Sequence, residues 1–129
     1  MTKFDLARAE RAKSWVNAAF QFGIEEEYFL VDRATRDVVN DPPPEMLADC
    51  ETRLAGQVSP EFLRSQIEVG TRVCSSLAEA RADLCQLRAT VAEVAARHGM
   101  APIAAATHPF ARWDAQKNHR SPPLRRSAR

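Results

Sequence analysis

The chain has 129 residues and a formal net charge of +1, with 45% hydrophobic and 27% charged residues. That is one ordinary domain able to bury a core, and it excludes a wholly disordered chain. The near-neutral balance gives no general pull toward nucleic acid or an anionic membrane, and no apolar run approaches the ~20 residues of a membrane span.

Residues 1–19 are polar and Ala-rich, and read as a loosely packed helical segment without a signal-peptide apolar stretch. Residues 20–31, FQFGIEEEYFLV, read as a strand. A period of two puts Phe22, Ile24, Glu26, Tyr28 and Leu30 on one face, and Glu25, Glu27, Phe29 and Val31 on the other. The polar link after it and the pair Val38-Val39 suggest a hairpin. Pro42-Pro43-Pro44 stops regular structure, but Pro44 can open a helix at its first position. Met46, Leu47, Cys50 and Leu54 follow at helical spacing, with Gly56 as the expected cap.

Residues 58–71 read as a second strand in their later half. Ile67 and Val69 point one way, Gln66 and Glu68 the other. Residues 76–98 give the clearest helix. Ser76 and Glu79 form an S-x-x-E capping box, Leu77, Leu84, Leu87, Val91 and Val94 form one stripe, and Gly99 ends it. Residues 100–107 read as a strand that Pro102 confines to a start or an edge. Residues 117–129 hold five basic residues, no acid and no periodicity, and read as a disordered basic tail. Cys50, Cys74 and Cys85 are odd in number and lack CxxC spacing, so they read as reduced thiols; zinc is disfavoured. No glycine-rich phosphate loop is present.

The chemistry sits in the acids. Glu is depleted in strands, yet three occur in a row. Glu25 and Glu27 lie roughly 6.5–7 Å apart along one face. Two such charges repel unless a cation lies between them, and Mg²⁺ takes oxygen ligands while leaving room for substrate phosphates. Gln66 and Glu68 offer a second polar pair from another strand. Carboxylates on adjacent strands can clamp divalent ions against a transferring phosphoryl group. The plain alternative is a solvated acidic sheet face. Thr71 ends its strand and His108 follows one; neither carries a specific signal alone.

In order, FGIEEEYFLVD (22–32), SQIEVGTRVC (65–74), SLAEARADLCQLR (76–88) and AAATHPFARW (104–113) resemble the start of the carboxylate–amine ligases of the glutamate–cysteine ligase type 2 family, within the glutamine synthetase-like group. The resemblance covers residues 20–116 and implies an α+β fold with a curved antiparallel sheet packed on helices. It implies ATP-dependent ligation of glutamate to cysteine or another amine through an acyl phosphate, with Mg²⁺ or Mn²⁺, in the cytoplasm. On that pattern Glu25, Glu27 and Glu68 are metal ligands. Gln66, Thr71 and His108 support substrate or metal, and Glu26 is structural.

Arg72 stands where the family usually has Pro, and Ala106 where Gly commonly precedes Thr-His-Pro. The family's later strands and phosphate-binding arginines have no counterpart here. The expectation is therefore an incomplete chain, without turnover alone, whose unpaired sheet edge favours self-association. Two other readings stand beside it: a non-catalytic α+β interaction module with a solvated acidic face, and a nucleic-acid binder acting through the basic tail.

Overall fold

The first strand forms because alternation and β-rich composition agree along it. In the computed structural model, which describes residues 20–105 and 107–119, β1 spans Glu25–Asp32. Its neighbours are β3 (Gln66–Gly70) and β4 (Met100–Ile103), and β2 (Val58–Pro60) lies outside β3, giving the order β2-β3-β1-β4. Every pairing is antiparallel. Two α-helices among the described residues, α1 (Pro44–Leu54) and α2 (Leu77–Arg97), complete an α+β fold, as expected.

The helices cover one sheet face. Tyr28 and Leu30 of β1, Ile67 and Val69 of β3, and Val58 and Met100 share one core cluster with Met46, Cys50 and Leu54 of α1 and Leu84, Leu87, Val91 and Val94 of α2. Each such aliphatic side chain contributes about 1.5–3 kcal/mol on burial. The stripe of α2 starts later than its spacing suggests: Leu77 is 78% exposed, and burial begins at Ala80.

Local signals fix the helix ends. Ser76 Oγ accepts from the Glu79 N–H at 3.2 Å, one half of the expected capping box. Glu79 reaches back one residue further than expected and accepts from the Ser75 N–H at 2.8 Å. At the end of α1 the left-handed position falls on Ala55 (φ 45°), and Gly56 (φ 86°) follows it, where the sequence suggests Gly56 alone. Gly99 (φ 73°) ends α2 as expected.

The hairpin after β1 is confirmed by an isolated bridge between Val31 and Val38 and by the Val39 N–H donating to Leu30 O at 2.9 Å. Asp32 closes its turn by accepting from the N–H groups of Ala34 and Thr35, both at 2.8 Å. β2 is a strand the sequence reading missed; three residues are too few to show a period of two. β4 lies at an edge of the sheet, which accommodates Pro102.

Residues 117–119, the start of the expected tail, are tied down. The Arg64 N–H donates to Lys117 O at 2.8 Å, and the His119 N–H to Phe62 O at 3.1 Å. Lys117 and Arg64 both pair with Asp41. Residues 120–129 and the expected N-terminal helix at 1–19 lie outside the described residues. Among the described residues no helix is long and apolar enough to cross a membrane.

Candidate functional site

The sheet face away from the helices carries the acids. Antiparallel register sets Glu27 directly opposite Glu68, and Glu25 opposite Gly70. Glycine at 70 leaves the space beside Glu25 open: a Cβ built there would lie 3.8 Å from Glu25 Cγ. Glu25 and Glu27 are exposed and Glu68 is half-buried. Ser59 on β2 donates its hydroxyl to Glu68 Oε1 at 3.1 Å, so a third strand fixes that carboxylate.

An open cleft of about 510 Å³ lies here, lined by Glu25, Glu26, Glu27, Glu68, Ala104 and Ala105. The structure places all three expected metal ligands on one cleft, but of these only Glu27 and Glu68 have oxygens that converge; Glu25 lies outside that cluster. The structure adds one that the sequence reading missed. Glu61, just past β2, places a carboxylate oxygen so that Glu27, Glu61 and Glu68 each offer one oxygen within 4.8 Å of the others. The Glu61 carboxylate also accepts from the Phe62 N–H at 2.8 Å. Its only sequence signal was proximity to β3, seven residues before Glu68, in a stretch with no visible periodicity.

Oxygen-only donors suit a hard divalent cation such as Mg²⁺ or Mn²⁺, and not zinc, which favours nitrogen and sulfur. The donor set thus fits the ion that the sequence resemblance implies.

Glu26 borders the cleft, but its carboxylate is engaged by α2. Arg88 on α2 donates to it, with Nε 2.8 Å from Oε2, and the Tyr28 hydroxyl donates to the same carboxylate. The Arg88 hydrogen bonds hold the Glu26 carboxyl below the usual range against the opposing effect of burial, with Tyr28 adding to the lowering. Burial, then the Glu26 hydrogen bond, pushes the Tyr28 phenol up to about 12.

The supporting residues lie apart from the cleft lining. Thr71 Oγ1 accepts from the Ile24 N–H at 2.9 Å, and the Thr71 N–H donates to Ile24 O at 2.9 Å, clamping the two strand ends together. Gln66 sits opposite Phe29 and lines a second cavity, of about 490 Å³, with Arg64 and Lys117. His108 Nε2 lies 3.0 Å from Arg36 O; a carbonyl only accepts, so Nε2 carries the hydrogen. Its ring meets Phe29 edge-on at 6.5 Å and Phe110 at 4.9 Å.

Of the three thiols, Cys50 and Cys74 are buried and Cys85 is exposed, all free. Burial pushes the Cys50 thiol up to about 11, which makes it a packing residue and not a nucleophile.

Comparison with known proteins accords with this geometry. The family model described as glutamate-cysteine ligase family 2 matches residues 21–126, running past residue 116 into the basic tail, where the sequence reading had found no resemblance. A protein of Jannaschia sp. (strain CCS1) named "Putative glutamate--cysteine ligase 2" is 54% identical over 107 residues, 83% of this chain and 28% of the relative. A protein of the same name from Rhodospirillum rubrum is 56% identical over 103 residues, covering 74% of this chain and 25% of the relative. Another, from Chloroflexus aurantiacus, is 44% identical over 99 residues, 77% of this chain and 25% of the relative. The chain spans about a quarter of the length of these relatives. The matched stretch contains both acidic strands and the cleft between them, and a match over most of the sequence places this chain in glutamate–cysteine ligase family 2.

Proposed function

We propose that this chain supplies the acidic, cation-holding strands of an ATP-dependent carboxylate–amine ligase with a glutamine synthetase-like sheet, acting in the cytoplasm. The observation that carries the reading is the convergence of Glu27, Glu61 and Glu68 oxygens within 4.8 Å, with Glu25 on the same cleft. These residues would hold Mg²⁺ or Mn²⁺ against the phosphates of ATP. The bound cation would supply charge neutralisation as the γ-phosphoryl group moves.

The chemistry asks for no covalent enzyme nucleophile, and the cleft lining offers none. In the proposed reaction a substrate carboxylate oxygen takes the γ-phosphoryl group, releasing ADP. An amine then attacks the acyl carbon, phosphate leaves, and the amine gives up a proton. Glutamate as the carboxylate and cysteine as the amine are supported by the printed names of the relatives. What these residues contribute is preorganisation: Ser59 holds Glu68, and the β1–β3 register holds Glu27 opposite it.

Thermal melts of the 129-residue chain, with and without Mg-ATP or Mn²⁺ alone and beside Glu68→Gln, test the reading. A ligand that binds only the folded form raises the transition by mass action. The expected result is a rise in the parent that is lost in Glu68→Gln. A cooperative transition indifferent both to Mg-ATP and to Mn²⁺ alone would overturn this reading in favour of an interaction module with a solvated acidic face.

A further inference from the structure

Asp83 is a buried carboxylate, 5% exposed, on α2. An isolated charge is costly to bury, so its partners identify what it holds. Asp83 Oδ2 accepts from the Arg72 N–H at 2.8 Å and from Gln57 Nε2 at 3.0 Å; Oδ1 accepts from the Arg72 guanidinium at 3.0 Å. Every partner belongs to the chain flanking β2 and β3, and none to α2. Burial works against the charged form of Asp83, but these donors prevail and hold its carboxyl below the usual range.

The contacts continue toward the acidic cleft. Gln57 Nε2 also donates to Gly70 O at 3.1 Å, and the Gly70 N–H donates to Gln57 O at 2.9 Å. Gly70 stands opposite Glu25 in the sheet register and leaves open the space beside the Glu25 side chain. The next residue, Thr71, clamps Ile24 through two hydrogen bonds. Asp83 is thus joined through Gln57 to the end of β3 on which Glu25 rests.

We propose that Asp83 is a positioning residue for the acidic cleft: from the opposite side of the sheet, it fixes the Gly70–Thr71 strand end and through it the placement of Glu25. The cation part of this proposal rests on the function proposed above. A group hydrogen-bonded directly to a metal ligand typically matters by about 10–100-fold in metal affinity, and Asp83, which acts at one remove through Gln57 and Gly70, is expected at the low end of that range.

The test uses the full 129-residue chain, Mn²⁺ alone as the probe, and two readouts. Calorimetry gives the Mn²⁺ affinity of the parent, Asp83→Asn and Leu84→Ala; the last weakens the core next to Asp83 and removes none of the side-chain hydrogen bonds named above. Hydrogen exchange follows the Gly70 and Thr71 amides without metal. Asp83→Asn is expected to weaken Mn²⁺ binding by about tenfold and to speed exchange at both amides, while Leu84→Ala binds as the parent does. Equal affinity in the parent and Asp83→Asn, or equal loss in Leu84→Ala, overturns the positioning role and leaves the cation reading intact. A parent that binds no Mn²⁺ overturns the cation reading and with it the proposal, whatever the exchange rates. Should Asp83→Asn fail to fold, Gln57→Ala, which leaves Asp83 paired with Arg72, decides by the same two readouts.

Discussion

Glu27 and Glu68 face each other across the β1–β3 ladder, two carboxylates in direct register on the open side of the sheet. Like charges placed opposite one another destabilise a sheet by about 0.2–1 kcal/mol. A fold that keeps such a pair carries a cost which a bound cation would remove. Glu27→Gln is therefore expected to raise the metal-free melting temperature, by about 2 °C for ~0.5 kcal/mol. The same change is expected to erase the stabilisation conferred by Mn²⁺. Parallel melts with Mn²⁺ and with chelator read both effects. A lower metal-free melting temperature would show that the Glu27 charge is satisfied within the protein.

The stripe of α2 separates burial from spacing. Leu87 is 1% exposed within the core cluster, whereas Leu77, at the same apparent periodicity, is 78% exposed. Leu87→Ala is expected to cost about 2–5 kcal/mol, because the transfer loss adds to the cavity left behind. Leu77→Ala should stay within ~0.5 kcal/mol. Urea unfolding followed by circular dichroism measures both; similar losses would mean that Leu77 is covered in solution.

Those two leucines mark how far the sequence could be read. Period and capping chemistry located β1, β3, α1 and α2, since each combines a regular apolar pattern with a local stop or start. Alternation also set Glu26 apart from its neighbours: its side chain pairs with Arg88 of α2, although all three glutamates border the cleft. What could not be read depends on contacts distant in sequence. Glu61 joins Glu27 only through the folding of β2 onto β3. Asp83 falls on the buried side of α2, between Ala80 and Leu87, but its partners Gln57 and Arg72 lie on other elements. Thr71, expected to support substrate or metal, bonds the Ile24 backbone across the two strand ends, a partner that the sequence order alone does not name.

Tyr28 gives a pH prediction with a clean signal, since it is the chain's single tyrosine. Its phenol is pushed from 10.0 up to about 12, first by burial and then by the hydrogen bond to Glu26. A folded-state value above the unfolded one means that this stabilisation is fully present below pH 10 and is lost as the pH rises toward 12. Ultraviolet titration should find one phenolate forming late, together with unfolding. Glu26→Gln removes a raising influence and should shift ionisation downward. Arg88→Ala removes a lowering one, and ionisation should move upward in any variant that keeps the Glu26 bond. An ordinary phenol titration in the folded parent would contradict the buried Tyr28–Glu26 pair.

Glu61 and Glu68 should differ in weight although both reach the same cluster. Glu68 sits within a paired strand and is fixed by the Ser59 hydroxyl, so its oxygen is held before any ion arrives. Glu61 lies outside the strands, and its carboxylate already accepts from the Phe62 N–H. A ligand of that kind is ordered partly by the ion itself, which reduces its net contribution. Glu68→Gln is expected to weaken Mn²⁺ binding by about 100-fold and Glu61→Gln by about tenfold, with pairwise coupling because both share one centre. Calorimetry on the two single variants and the double variant measures this. Strictly additive losses would mean that the two carboxylates bind separate ions, and an unchanged affinity in Glu61→Gln would remove it from the site.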